Sequence, residues 1–339
     1  MRERLMASSV RPYALAVAAL HVLGAACLLA AARQHPVLVG LAVLAYTLGL
    51  RHAFDADHIA AIDNTVRALA QRREDPTGVG FFFSLGHSTV VFVMALAAGG
   101  AARGLNAQLP HLREIGGIIG TSISGGFLLL IGVINLVIWR EVWRLFQGVR
   151  RREQDAQALD ALLLNRGIVA RFAGPLIRRI RKSSQVYPVG FLFGLGFDTA
   201  SEIALLALSA GAASQQLPWF GVAVLPLAFA AGMTLMDTLD GVFMTTAYGW
   251  ALSTPLRRIY YNLTVTGLSV LAALVIGAIE LLQVFGGALN LRGVLWTRIE
   301  GLDLGALGYV LVGLFVVIWA VSYGIWKVGR LEERWSEEA

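Results

Sequence analysis

The sequence predicts an all-α membrane protein with eight transmembrane helices and both termini in the cytoplasm. Of its 339 residues 57% are hydrophobic and 15% are charged, with a mean hydropathy of +0.66, whereas about a quarter of the residues in a soluble domain are charged. The apolar residues fall in blocks of about 20, the length of helix that crosses the hydrocarbon core of a bilayer. The alternating short segments of an outer-membrane barrel are absent from the sequence.

Eight apolar blocks define the predicted spans in chain order. Their approximate limits are 13–32, 37–66, 79–100, 115–139, 186–211, 219–247, 262–285 and 305–328. The second and sixth are longer than a bilayer requires, so we expect a tilt, a break or a projecting end in each. The first block could instead belong to a cleaved signal peptide, but its apolar core exceeds the usual length of about 7–15 residues. We therefore expect this block to be retained.

The basic residues predict the orientation, because cytoplasmic loops are enriched in Lys and Arg. With the N-terminus inside, 22 of the 28 Lys and Arg residues fall in cytoplasmic segments, including Arg67 after the second span. Five fall in external loops, and Arg51 lies within the second span. This asymmetry places both termini in the cytoplasm.

The chain divides into three parts: the first four spans (1–139), a basic cytoplasmic loop (140–185) and the last four spans (186–339). The loop combines helical apolar spacing with basic residues, which is typical of an amphipathic helix on the anionic leaflet. Its positive charge therefore indicates the lipid bilayer as a partner, and we expect no nucleic acid. The single cysteine, Cys27, excludes intramolecular disulfides and a cysteine metal cage.

Ionisable residues interrupt four of the apolar spans. The second contains "RHAFDADHI" (51–59), and the others contain "LGHSTVV" (85–91), "LGFDTASE" (195–202) and "GMTLMDTLDG" (232–241). A charged group at the centre of a membrane helix costs about 2.5–3.5 kcal/mol on insertion scales, so these groups must face one another, water or an ion. The candidate ligands are His52, Asp55, Asp57, His58, His87, Asp198, Glu202, Asp237 and Asp240.

The depths of these residues predict one site near the bilayer midplane, where transporters bind substrates beside interrupted helices. In a regular helix His52 and Asp55 share a face and Asp57 points elsewhere. A local break near Gly49 would let Asp57 join them. We interpret Arg51 as balancing nearby carboxylates.

Helical spacing groups the carboxylates of the later spans. Asp198 and Glu202 are four residues apart, and Asp237 and Asp240 are three apart, so each pair lies on one face. Other polar residues are expected to serve structure: Asp63, Asn64 and Glu280 near helix ends, and Asn135 either as a helix–helix contact or as a ligand.

The donor set contains nitrogen and oxygen only. Imidazole suits nickel, cobalt, zinc and copper, whereas a magnesium or calcium site would be all oxygen. Because no cysteine is among these candidate ligands, a soft Cu(I) site is not expected. The residues therefore predict a first-row divalent ion as the partner of this site, with no prosthetic group.

The motifs resemble those of the nickel/cobalt transporter family (NiCoT), permeases with eight spans. The family signature in the second helix, HX4DH, is matched by His52, Asp57 and His58, and the other three motifs have counterparts in order. Ser201 stands where the family usually has threonine. The resemblance implies uptake of Ni²⁺ or Co²⁺ across a bacterial cytoplasmic (inner) membrane.

Two other functions use the same ligands: divalent-metal efflux and a membrane-embedded metalloenzyme. The sequence has no HExxH, nucleophile elbow or Walker motif, so we expect neither an enzyme nor an ATPase partner. An entering divalent ion gains about 4.6 kcal/mol per 100 mV of membrane potential, or roughly three decades of concentration. This energy favours uptake over efflux. The preference between Ni²⁺ and Co²⁺, the coupling ion and the oligomeric state stay open at this point.

Overall fold

The computed structural model describes residues 2–72, 74–104, 180–195, 200–215, 217–251 and 255–302, with scattered residues between 118 and 147 and between 309 and 324. The continuous ranges contain nine α-helices and no strand. These helices are α1 (Arg2–Ala32), α2 (Val37–His52), α3 (Ala56–Gln71), α4 (Val79–Gly104), α5 (Tyr187–Phe193), α6 (Ala200–Ser214), α7 (Trp219–Ala251), α8 (Pro255–Ala288) and α9 (Val294–Glu300). The predicted all-α class is confirmed for this part of the chain.

Several of these helices have the length and apolar composition of membrane spans. Four qualify singly, over Val10–Ala32, Val79–Gly100, Trp219–Gly249 and Gly267–Ala288, and the bent pair α2 and α3 makes a fifth if counted as one span. They correspond to the first, third, sixth, seventh and second predicted spans, so the chain is a multi-pass membrane protein. The predicted fourth and eighth spans and the basic loop lie largely outside the described residues.

The second predicted span is broken, as its length suggested. Helix α2 ends at His52, α3 begins at Ala56, and the two form an angle of 53°. The break spans residues 53–55 and ends at Asp55, whose extended backbone (φ −64°, ψ 142°) precedes α3. The expectation that Gly49 permits the break was wrong, because Gly49 lies within α2, where a Cβ would overlap the backbone of Phe229. Gly49 instead lets α2 pack closely on α7.

The fifth predicted span, 186–211, is not one continuous helix. Helix α5 ends at Phe193, Gly194 and Leu195 form a turn, and α6 begins at Ala200. A Cβ at Gly194 would lie 2.9 Å from the carbonyl oxygen of His87, so the chain passes tightly against α4 at this point. The sixth span, in contrast, is the unbroken 33-residue helix α7, and the break considered there does not occur.

Helix α7 holds the bundle together, packing against α1, α2, α3, α4, α6 and α8. Its crossing with α4 is especially close, because a Cβ at Gly80 would overlap the carbonyl oxygen of Asp237. Without a side chain at Gly80, the two backbones approach directly. This crossing brings side chains of α4 and α7 to the region where α2 gives way to α3.

Candidate metal centre

Three histidines from three helices meet in the interior of the bundle. His52 ends α2, His58 lies in the first turn of α3 and His87 lies in α4; they are 1%, 0% and 2% exposed. One ring nitrogen of each lies within 4.8 Å of those of the other two, an arrangement that could hold a metal ion. We call these residues the histidine cluster. Two residues of the histidine cluster, His52 and His58, come from the second predicted span and lie on either side of its break.

Carboxylates lie behind the imidazoles. Asp55 Oδ2 is 2.7 Å from His52 Nδ1, and the two Asp237 oxygens are 3.2 and 3.3 Å from His58 Nδ1. A carboxylate on one ring nitrogen fixes the tautomer and orientation of an imidazole and leaves the other nitrogen for a metal. His58 Nε2 has no hydrogen-bond partner among the described residues, as expected for such a nitrogen.

Glu202 and His87 complete the inner part of the site. Glu202 Oε1 lies 3.0 Å from His87 Nε2 and 3.7 Å from His52 Nε2, and the two histidine nitrogens are 3.0 Å apart. Two metal–nitrogen bonds of about 2.0–2.1 Å at a right angle place their nitrogens about 2.9 Å apart. The His52–His87 distance therefore suits adjacent positions on a first-row ion with right-angled geometry, as in tetragonal Cu(II) or Ni(II) sites.

The other predicted ligands lie beside this group. Asp57 is half-buried and its Oδ1 accepts a hydrogen bond from the backbone N–H of His58 at 2.9 Å, so it supports the first turn of α3. Asp57 also interacts electrostatically with His52 and His58. Asp240 is half-buried one turn after Asp237. Asp198 lies outside the described residues.

Ser201, the residue that departs from the family motif, adjoins the site. Its Oγ lies 3.3 Å from His52 Nδ1, on the same nitrogen that contacts Asp55. The hydroxyl expected at this position is therefore next to the histidine cluster.

A second buried polar group was not predicted. Asp63, Asn64 and Arg67 were expected near a helix end or in a loop, but α3 continues to Gln71 and buries them to 0%, 1% and 1% exposure. Tyr248 of α7 donates a hydrogen bond to Asp63 Oδ1 at 2.6 Å. We call Asp63, Asn64, Arg67, Asn135 and Tyr248 the arginine cluster.

Asn64 links this cluster to the fourth predicted span. Its Oδ1 accepts hydrogen bonds from Arg67 Nη2 and, at 2.8 Å, from Asn135 Nδ2. Asn135 therefore makes a helix–helix contact, one of the two roles considered for it. The i, i+4 spacing of Asp63 and Arg67 was the signal in the sequence that could have indicated a shared buried face.

The chain is similar to known proteins over almost its whole length. A family model described as high-affinity nickel-transport protein (NicO) matches residues 38–325. The chain is 55% identical to the nickel transporter NixA of Staphylococcus aureus over 325 residues, 96% of each chain. It is 51% identical to the nickel transporter NicT of Mycobacterium tuberculosis over 302 residues, 88% of this chain and 81% of that one.

A third relative is named as a transporter of a different metal, cobalt. The chain is 41% identical to the cobalt transport protein NhlF of Rhodococcus rhodochrous over 315 residues, 90% of this chain and 88% of that one. No solved structure matches the chain.

Proposed function

Because the chain belongs to the NicO family of high-affinity nickel-transport proteins, we propose that it is a permease that takes up Ni²⁺ across the cytoplasmic membrane. The family and the relatives are transporters, so the chain is not an enzyme. The relative named for cobalt supports Co²⁺ as a further substrate. The divalent ion is cargo, and the protein needs no prosthetic group for this activity.

The transported ion binds at the histidine cluster, and this proposal is carried by the convergence of His52, His58 and His87. Asp55 and Asp237 orient two of the imidazoles, and Glu202 supplies an oxygen beside His52 and His87. We place two further motif carboxylates, Asp57 and Asp240, along the approach to the site, and Asp198, outside the described residues, stays a predicted ligand.

The broken second span gives the ion a favourable electrostatic environment. The C-terminal end of a helix carries a partial negative charge from its unpaired carbonyl groups. Helix α2 ends at His52, so its negative end lies at the site, and at the opposite, positive end of α3 the Asp57 carboxylate accepts the His58 N–H. Discontinuous helices are used in the same way around cations in other secondary transporters.

The eight spans and the cytoplasmic termini also belong to this proposal. The family match extends from the second predicted span to the eighth, and the basic residues favour the inside orientation. We propose that in a bacterium the protein lies in the inner membrane, where an inside-negative potential would drive Ni²⁺ inward without an ATPase partner.

The test is uptake of radioactive Ni²⁺ by the purified protein in liposomes with a clamped membrane potential. We expect uptake that rises with an inside-negative potential and is lost in His58→Ala. Uptake that is independent of the potential would contradict electrogenic entry. Full uptake by His58→Ala would contradict the assignment of the ion site.

A further inference from the structure

Arg67 is a buried cation that the histidine cluster does not use. It is 1% exposed, although a buried charge is costly unless it is paired and hydrogen-bonded. Its Nη2 donates to the neutral amide oxygen of Asn64, whereas Nε and Nη1 have no hydrogen-bond partner in the part of the chain that is described. The guanidinium is therefore held by only one of its three nitrogens.

Asp63 is the matching anion one turn earlier on α3. The Asp63 carboxylate accepts hydrogen bonds from Tyr248, at Oδ1, and from Ser269, but its buried Oδ2 has no hydrogen-bond partner among the described residues. Asp63 and Arg67 interact electrostatically, and their i, i+4 spacing allows direct contact on a helix. In this conformation, however, Arg67 contacts Asn64 instead, so the carboxylate keeps an oxygen for a second cation.

Two carboxylates, Asp63 on α3 and Asp240 on α7, lie between the histidine cluster and Arg67. Asp63 follows His58 by about 7.5 Å along α3, and Arg67 follows it by about 13.5 Å, at 1.5 Å per residue. On the facing helix α7, Asp240 interacts electrostatically with both Asp237 and Asp63, and its buried Oδ2 has no hydrogen-bond partner within the described ranges. In the proposed topology the direction from His58 to Arg67 along α3 is the direction toward the cytoplasm.

We propose that Arg67 is a tethered cation that competes with the transported divalent ion for the Asp63 carboxylate. Asp63, with Asp240, is then a second and weaker position for the ion between the histidine cluster and the cytoplasm. An ion at Asp63 repels the guanidinium toward Asn64, and a guanidinium at Asp63 expels the ion. The inference rests on the proposed transport function and names a release step for it.

The weakness of this position follows from its chemistry. Asp63 and Asp240 offer only oxygen, whereas the histidine cluster offers imidazole nitrogen, which suits nickel better. An ion that has left the imidazoles therefore meets weaker ligands and a competing positive charge. Both effects favour its release.

The test measures binding of radioactive Ni²⁺ to the purified full-length protein by equilibrium dialysis over a wide concentration range. Arg67→Gln removes the charge but keeps an N–H donor for Asn64. We expect a weak second binding event in the original protein that becomes tighter in Arg67→Gln, by the about 5–150-fold typical of coupled sites. Arg67→Lys should leave the second event weak, and Asp63→Asn combined with Arg67→Gln should remove it.

The matched control is Arg298→Gln, which removes an exposed arginine from α9 and should leave both binding events unchanged. If Arg67→Gln does not fold, Tyr248→Phe removes one hydrogen bond from Asp63 Oδ1 without changing any charge and should tighten the second event by a smaller factor. An unchanged second event in the folded variant would overturn the competition. Failure of the original protein to take up Ni²⁺ in liposomes would instead overturn the transport function.

Discussion

The histidine cluster and the arginine cluster both include residues of α3, but they bury polar groups in different ways. The histidine cluster joins imidazoles to carboxylates and itself contains no lysine or arginine. The arginine cluster already contains one, because Arg67 lies one turn from Asp63. One helix thus carries a region suited to capture a metal ion and a region suited to repel it.

The strongest test of this difference removes a histidine. His58→Ala should reduce Ni²⁺ uptake by more than about 100-fold, since loss of an outer carboxylate alone commonly costs about 10–100-fold. Uptake by membrane vesicles with matched protein levels measures the effect. His35→Ala, in the loop between α1 and α2, is the control and should transport normally.

A smaller effect is expected from the carboxylate behind the same imidazole. Asp237→Asn keeps the shape of the side chain but no longer offers a charged acceptor to His58 Nδ1, and we expect about 10–100-fold weaker Ni²⁺ binding. Direct binding measurements on purified protein should show this loss without a comparable loss of thermal stability. A variant that binds normally and only unfolds earlier would make Asp237 a structural residue. Glu74→Gln, which neutralises a carboxylate at an exposed position, is the control.

Widening the close crossing of α4 and α7 should shift the side chains of the histidine cluster without removing any ligand. Gly80→Ala places a methyl group against the carbonyl oxygen of Asp237, and overpacking of this kind typically costs about 1–3 kcal/mol. We expect a lower midpoint of thermal unfolding together with reduced uptake. Gly40→Ala in α2 has no atom within 4 Å of the added Cβ and should change neither.

The smallest effect is expected at the edge of the arginine cluster. Asn135→Leu removes one of the two donors to Asn64 Oδ1, and hydrogen bonds between membrane helices average about 0.6 kcal/mol. Chemical unfolding should detect this loss while uptake stays near that of the original protein. A loss of uptake as large as that of His58→Ala would mean that Asn135 serves the ion directly.

The two clusters were not equally visible in the sequence. His52, His58 and His87 were predicted because each interrupts an apolar span, where an ionisable group is costly enough to require a function. The structure brings these three together. Asp63 and Arg67 were missed because the span was expected to end near residue 66, which left Arg67 in a loop.

Contacts between distant parts of the chain could not be derived from local patterns. One hydrogen-bond partner of Asp63 is Tyr248, 185 positions later, and no spacing rule connects them. The position of the break was also misjudged, because a glycine in a helix permits either unwinding or close packing. At Gly49 the neighbouring backbone of Phe229 selects close packing.

The length of α7 makes the protein sensitive to the lipids around it. Its 33 residues extend over about 50 Å at 1.5 Å per residue, against a hydrocarbon thickness of about 30 Å. Such a helix tilts further in a thin bilayer and stands more upright in a thick one. Since α7 carries Asp237 while α3 carries His58, a change of tilt slides one partner past the other. The acyl-chain length of the host membrane therefore acts on the fit between an imidazole and its carboxylate.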